Sequence, residues 1–335
     1  MKLFYSFVLT CVFTFSGAAQ DTFSIIAVDP MTGEVGSAGA SCVNGVGAAG
    51  IIDIITDIIP GRGGVNSQAY VCVPNINLQN AIARMDMGDS PSEVIDWLIN
   101  NDACSSQGFN PEFRQYGVAD FDMSGNPRTA GFTGSMADDY KEDRQGPTYS
   151  IQGNILLDQT VIDNMENNFN NTSGTLADKL MAAMQGANFP GADQRCLSAG
   201  TSSTTAYLLV FKADDDPNDP YLRLNVGQQP PGTEPITILQ QLYDNFLTVP
   251  EHKISGKIKL FPNPVSDLLT LSVNDGLIIK NIEILDANGK ILLNLSKMDK
   301  AETRFKIPVA SLSNGIYFIK VKTSEGITTL KFVKR

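Results

Sequence analysis

Apolar and polar positions alternate over Thr22-Phe-Ser-Ile-Ile-Ala-Val28, and the run is rich in β-branched residues, which predicts a strand. Asp29-Pro-Met-Thr-Gly33 supplies turn residues. Glu34 to Ser41 then returns as a second strand whose small residues, Gly36, Ala38, Gly39 and Ala40, permit close packing or close approach of the backbone to a ligand. A glycine-rich crossing that includes Pro60-Gly-Arg-Gly-Gly64 leads to a third strand over Val65 to Cys72. The period then changes. Leu78, Ala81, Ile82 and Met85 recur at helical spacing between Asn77 and Met87, and Ser90-Pro91 caps and opens a second helix through Trp97 and Ile99. Gln115 to Phe121 and Arg128 to Phe132 read as a hairpin around Asp122-Met-Ser-Gly125-Asn, and Thr148 to Leu156 as a further strand. Helices over Asp158–Phe169 and Gly174–Ala187, a hairpin of Thr204–Lys212 with Tyr221–Val226, and a helix over Ile236–Leu247 complete this part. Strands, two helices, strands, two helices, strands is the order of an α+β sandwich in which helices cover sheets, not of alternating strand–helix units.

The two ends read differently from the middle. Met1-Lys2, an apolar run from Leu3 to Phe15 and Ser16-Gly-Ala-Ala19 have the layout of a secretory signal peptide, with cleavage expected after Ala19. The run is too short to anchor in a bilayer, and no other segment is apolar enough to span one, so no membrane span is expected after the signal is removed. The expected organisation is therefore a signal peptide at 1–19, a main domain at 20–249, a linker at 250–256 and a small β domain at 257–335.

Composition narrows the chemistry. A net charge of −11 argues against nucleic acid and anionic membrane surfaces as partners. The single histidine, His252, falls in the linker, so a Ser-His-Asp hydrolase, a Cys-His protease or a histidine-ligated zinc enzyme cannot be assembled in the main domain. No cofactor or metal is expected. Of five cysteines, Cys11 leaves with the signal peptide, and Cys42, Cys72, Cys104 and Cys196 remain. An even count in an exported chain favours disulfides over buried thiols. Cys42–Cys72 and Cys104–Cys196 is the pairing favoured here, because the first two follow neighbouring strands and the last two lie in loops. Asp214-Asp-Asp216-Pro-Asn218-Asp219 echoes the start of a calcium loop but lacks its glycine and distant glutamate, so a solvated turn is favoured.

Two resemblances add to this reading. Phe261-Pro262-Asn263-Pro264 with Ser266-Asp267, then Asp286-Ala-Asn-Gly289-Lys, then Leu312-Ser-Asn-Gly315-Ile-Tyr317 and a basic terminal strand resemble the type A C-terminal sorting domain of the type IX secretion system of Bacteroidetes-type bacteria. The resemblance implies a small immunoglobulin-like β-sandwich, the type IX secretion machinery as partner, and a secreted or cell-surface destination reached through periplasm and outer membrane. An adhesive or carbohydrate-binding sandwich is the competing reading of such strands.

In the main domain, Thr22-Phe-Ser-Ile-Ile-Ala-Val-Asp29-Pro with Gly33-Glu-Val-Gly36 and Gly39-Ala-Ser-Cys42 carries the second resemblance. Arg114-Gln-Tyr-Gly117-Val, Phe132-Thr-Gly134, Arg144-Gln-Gly-Pro147 and Ser150-Ile-Gln-Gly153-Asn154 continue it. Together they resemble the domain-of-unknown-function family numbered 1028. That family looks like an N-terminal nucleophile hydrolase, which implies a four-layer αββα sandwich. In such folds the first residue of the first strand is the nucleophile and its own freed α-amine is the general base, which needs no histidine. Thr22 fits that role once the bond to Asp21 is cut; otherwise it is a strand threonine. Asn154 would serve the oxyanion, or act as a turn residue. Ser41 would orient the Thr22 hydroxyl, or be structural. Arg144 would pair with a carboxylate on a small amide or peptide-like substrate, or form a surface ion pair beside Asp143. The function implied is a secreted amide-bond hydrolase, and the alternative is a catalytically silent surface module that binds cell-wall fragments.

Overall fold

The computed structural model describes residues 22–247, 257–273, 277–287, 289–300, 303–323 and 326–335. The expected signal peptide and linker lie outside these residues. The chain divides after Tyr243 into two compact units.

The first unit begins with β1 (Phe23–Asp29) and β2 (Glu34–Ser41), which form the expected hairpin, followed by the one-turn helix α1 (Ile52–Ile55). Next come β3 (Thr56–Ile59), β4 (Gly63–Gln68), α2 (Ile76–Asp86), α3 (Pro91–Asn100), β5 (Gln115–Phe121) and β6 (Pro127–Thr133). β7 (Glu142–Gln145), β8 (Tyr149–Gly153), α4 (Thr160–Asn171), α5 (Leu176–Gly186), β9 (Thr205–Phe211), β10 (Leu222–Val226) and α6 (Pro235–Leu247) follow. One sheet has six antiparallel strands in the order β10-β9-β2-β1-β8-β7, and the other has four in the order β3-β4-β5-β6. Helices α2 and α3 lie against the four-stranded sheet, α4 and α5 against the six-stranded one, and the two sheets meet through β1, β4, β5 and β8.

Local chemistry places the helices. Ser90 N–H donates to Glu93 Oε2 at 2.8 Å ahead of Pro91, and Thr175 and Asp178 exchange bonds of 2.8 and 3.2 Å at the start of α5. The small residues of β2 let α5 press directly on the sheet: a Cβ at Gly36 would stand 2.6 Å from Leu180 Cδ1 and 3.0 Å from the Leu209 carbonyl oxygen. Gly36→Ala is therefore expected to lower stability by about 1–3 kcal/mol through overpacking, read as an earlier denaturant midpoint. An unchanged midpoint would show that α5 can back away freely.

Two strands were not expected. β3 lies inside the stretch read as a glycine-rich crossing, and β4 starts at Gly63 within it. The glycines belong to the strand because the opposite sheet is close: a Cβ at Gly64 would stand 2.7 Å from Ile26 Cδ1. β7, Glu-Asp-Arg-Gln, has no apolar alternation and forms one end of the six-stranded sheet, where charged side chains blunt a free edge.

The cysteine pairing also differs from expectation. Cys42 bonds Cys196 and Cys72 bonds Cys104, correcting the Cys42–Cys72 and Cys104–Cys196 arrangement. Cys42 leaves β2 of the six-stranded sheet, whereas Cys72 follows β4 of the four-stranded one, so the two exits belong to different layers. Cys104 follows α3, which packs on the layer of β4.

The second unit has β11 (Ile258–Phe261), β12 (Leu268–Val273), β13 (Ile279–Leu285), β14 (Ile291–Lys300), β15 (Arg304–Pro308), β16 (Gly315–Thr323) and β17 (Gly326–Lys334). A three-stranded sheet, β11-β12-β15, and a four-stranded one, β14-β13-β16-β17, share one apolar core that includes Leu269, Leu271, Ile282, Ile284, Phe305, Ile319 and Phe332. Asn263 caps the last strand: its Oδ1 accepts from Val333 N–H at 2.9 Å and its Nδ2 donates to the Lys331 carbonyl at 3.1 Å. The Phe-Pro-Asn-Pro segment thus has a structural task in closing this domain.

Candidate functional site

Strand register brings three of the expected residues together. β1 pairs β2 with Phe23 opposite Ala40, and β8 with Phe23 opposite Gly153. One step further along both registers, Thr22 faces Ser41 on one side and Asn154 on the other. Asn154 Oδ1 accepts from Thr22 N–H at 3.2 Å, and Asn154 N–H returns a bond to the Thr22 carbonyl at 3.2 Å. Thr22, Ser41 and Asn154 are all fully buried. The Ser41 carbonyl accepts from Thr204 N–H at 2.9 Å, which extends the row to the start of β9. Asn154 therefore presents its oxygen to the Thr22 nitrogen, where the oxyanion role called for its amide N–H.

Strand periodicity fixes which way Thr22 points. It shares a face with Ser24, whose side chain looks into the space between the two sheets. That space is apolar at one end, with Ile26, Val28, Val35, Ile58 and Phe121, and polar at the end below Thr22. There Ser24 Oγ donates to Gln68 Oε1 at 2.6 Å and accepts from Asn66 Nδ2 at 3.0 Å and Gln152 Nε2 at 2.6 Å. Gln68 Nε2 donates to the Thr22 carbonyl and to Gln115 Oε1, each at 2.7 Å, and Gln115 Nε2 donates to the Gly153 carbonyl at 2.9 Å. Two glutamines of one sheet thus pin the head of β1 and the end of β8 in the other. Tyr207 OH meets Ser37 Oγ at 2.9 Å, and burial pushes the phenol far above its usual range, so it stays neutral. A buried layer this polar holds its shape only when its members are bonded to one another.

A segment that sequence reasoning missed crosses over the same point. Asp193 Oδ2 accepts from Cys42 N–H at 2.8 Å, one residue past Ser41, and Gln194 N–H donates to the Ile155 carbonyl at 2.9 Å, one residue past Asn154. The stretch from Asp193 to Cys196 therefore bridges the two strand ends that flank Thr22, and the Cys42–Cys196 disulfide closes it. Asp193 is fully buried and holds Arg195 through Nε at 3.0 Å and Nη2 at 2.7 Å. Ile155 adopts φ 49°, a left-handed conformation that costs a β-branched residue about 1–3 kcal/mol. Its N–H is held by the Asp138 carbonyl at 3.1 Å. The one available signal for this segment was an Asp-Gln-Arg run directly before a cysteine.

Arg144 does not join the group. Its guanidinium pairs with Glu142, with Asp163 at 2.7 Å and with Glu166 at 2.8 Å, linking β7 to α4. Three carboxylates already compensate its charge, so the structure favours the ion-pair reading, with these partners in place of Asp143. In the Asp214–Asp219 run, carboxylates accept backbone bonds of the turn: Asp215 Oδ2 takes Lys212 and Tyr221 N–H, at 2.8 and 2.7 Å, and Asp216 Oδ1 takes Asn218 N–H at 2.8 Å. Cavities of about 490 Å³, beside Arg62 and Arg128, and about 450 Å³, beside Asp57 and Asn75, are lined by neither Thr22, Ser41 nor Asn154.

A buried, hydrogen-bonded strand head between two helix-covered sheets belongs to a mixed α/β domain, followed by a β domain. Residues 22–237 match the family of unknown function DUF1028, and the chain belongs to that family. Residues 259–335 match the secretion system C-terminal sorting domain, so the chain is exported by the type IX secretion system to the cell surface or extracellular space. Among the described residues no helix is long and apolar enough to cross a membrane. A similar solved structure is the crystal structure of protein SPO2555 from Silicibacter pomeroyi, which carries the same family label. It is 24% identical with a TM-score of 0.54, over 72% of this chain and 95% of that one. No curated protein matches the chain.

Proposed function

We propose that the first domain is an amide-bond hydrolase of the N-terminal nucleophile type, with the sheets and helices forming an αββα sandwich. The observation that carries this reading is the Thr22 nitrogen, held at 3.2 Å by Asn154 Oδ1 at the head of β1. The family match also opens at this residue. Cutting the Asp21–Thr22 bond would turn that nitrogen into an α-amine beside its own hydroxyl. The amine would take the hydroxyl proton as Oγ1 adds to the amide carbonyl carbon, and would pass it to the departing amine as the carbon–nitrogen bond breaks. Water would then cleave the Thr22 ester, releasing the acid and restoring the hydroxyl. In this scheme Asn154 positions the amine and Ser41 lies beside the reacting hydroxyl.

One observation favours a second reading, a silent binding module for cell-wall fragments: Thr22 is completely shielded from solvent. The first residue of the secreted protein separates the two. N-terminal sequencing and intact mass are expected to show Thr22 at the start of the mature chain. A secreted chain that begins at Gln20 or Asp21 would leave the nitrogen in a peptide bond and retire the hydrolase.

A further inference from the structure

We propose that the outer face of the four-stranded sheet β14-β13-β16-β17 docks on an acidic polypeptide surface of the type IX secretion machinery, with Lys320, Lys322 and Lys331 as its anchors. The whole-chain charge of −11 conceals a division. Residues 22–247 hold ten lysines and arginines against twenty-seven aspartates and glutamates, whereas residues 257–335 hold thirteen against seven. The sorting domain is therefore basic. Charges beyond about 8 Å are screened at physiological salt, so an incoming surface responds to this local excess and not to the total. Strand register gathers part of the excess on one face. Lys320 and Lys322 alternate outward along β16, and Phe318 of the same face pairs with Lys331 of β17. Lys320 lies about 7 Å from Lys322 along the strand and about 7–8 Å from Lys331 on the diagonal. All three are exposed, and no ion pair among the described residues includes any of them. Glu283, opposite Lys320, is the one acidic residue of β13, β16 and β17. Ile316 and Ile327, 50% and 42% exposed, add apolar contact area beside the cations.

Asn281 indicates the kind of partner. Together with Glu283, Lys320, Lys322 and Ile327 it lines a cavity of about 220 Å³ on this face. Its Nδ2 donates to Glu283 Oε1 at 3.2 Å, and Asn294 Nδ2 donates to the same oxygen at 3.1 Å. That bond fixes the orientation of the amide, since the flipped form would set two acceptor oxygens against each other. Asn281 Oδ1 is then left buried with no hydrogen-bond partner, a condition that a donor brought by a docked chain relieves. A polypeptide carrying aspartate or glutamate meets both needs, with a carboxylate for the lysines and an N–H for Asn281. A headgroup phosphate brings acceptors only. The other sheet offers a matched contrast. Lys259 of β11 and Arg304 and Lys306 of β15 are also exposed, yet no side-chain atom described in β11, β12 or β15 is buried without a partner. Equal charge without an unmet acceptor marks that face as solvated.

The test expresses the full chain in a host with type IX secretion and measures the share that reaches the medium and cell surface against the share held in the periplasm. Lys320→Glu, Lys322→Glu and Lys331→Glu together are expected to cut the exported share about tenfold or more, because like charges then face each other across the contact. Lys259→Glu, Arg304→Glu and Lys306→Glu together are expected to leave export at the parent level. Arginine at all three positions of the docking face keeps the charge and should keep export. Export of the reversed variant at the parent level, an equal fall in the matched variant of the other sheet, or a fall with the arginine variant overturns the docking face. Should the reversed variant unfold earlier than the parent, the Lys→Gln triple decides in its place: a smaller fall supports the face, and no fall overturns it. The purified full-length chain is also sedimented with phosphatidylglycerol vesicles at physiological salt. No binding is expected, and binding that requires the three lysines would assign the face to lipid and overturn the polypeptide partner.

Discussion

Replacing Thr22 with alanine is expected to lower amide hydrolysis by the secreted protein roughly 10⁴-fold or more, because no other group in this site combines a hydroxyl with a self-supplied base. The comparison has a built-in control. Thr22→Ser keeps the hydroxyl beside the α-amine and should retain most of kcat. The effect is separable from folding. The Thr22 main chain is held by Asn154 and by Gln68 at 2.7 Å, and those bonds survive in the alanine variant. Its unfolding midpoint should therefore lie close to that of the parent. An α-amine ordinarily titrates at about 7.7–8.0 and acts as a base only when unprotonated, so the rate should rise with pH through that region. Full activity in Thr22→Ala would end the mechanism. Asn154→Ala gives a graded counterpart: kcat should fall with little change in KM, since Asn154 touches the amine and not the substrate.

The parts of this architecture that could be read in the residues are those with a local cause. The alternation of Phe23 to Val28, the glycine turn at Gly125 and the Ser90-Pro91 cap each act within a few residues, and all fall where expected. Ranges shift by a residue or two where caps fray. What escaped notice depends on contacts between distant parts of the chain. β7 is held by pairing with β8 and by the Arg144 ion pairs to α4, and nothing in Glu-Asp-Arg-Gln announces a strand. The disulfides follow which sheet each cysteine exits from, a property of topology.

The site divides in the same way. Thr22 and Ser41 are neighbours because register follows from the tight β1–β2 turn, whereas Asn154 joins them through the β1–β8 pairing, across a sequence separation of 132 residues, and the family resemblance, not local pattern, points to it. Asp193 reaches Cys42 across a sequence separation of 151 residues, and only the fold brings it there. The interlayer glutamines were hidden for a further reason. Alternation rules assign apolar residues to the face between two sheets, and Gln68, Gln115 and Gln152 occupy that face as a bonded polar layer. A polar layer where alternation calls for apolar residues is the pattern expected of a place whose geometry matters more than its packing.

The second large effect is expected at Arg114, where the stake is stability. Arg114 and Asp102 each keep only 1% of their side chain exposed and pair at 2.9 Å. The guanidinium also donates to the Tyr70 carbonyl, to Ser106 Oγ at 3.0 Å and to the Cys104 and Ser106 carbonyls at 3.0 and 2.6 Å. It thus gathers the segment that follows α3, including the Cys72–Cys104 disulfide, onto the start of β5. Arg114→Met removes one charge and leaves Asp102 buried without it, along with orphaned carbonyls, so a loss of about 3–5 kcal/mol is expected in equilibrium unfolding. Asp102→Leu strands the opposite charge and should cost about as much. The double variant discriminates between a missing charge partner and a missing scaffold. If the uncompensated charge dominates, Arg114→Met with Asp102→Leu should recover a large part of either single loss. Losses that simply add would instead assign the effect to the four carbonyl and hydroxyl bonds of the guanidinium. Single variants within about 0.5 kcal/mol of the parent would refute the network as a stabilising element. The consequence should also reach the site, because Tyr70 OH bonds Asp138 Oδ2 at 2.6 Å and the Asp138 carbonyl holds Ile155 next to Asn154. Loosening Arg114 should therefore lower kcat well below the temperature at which the domain unfolds.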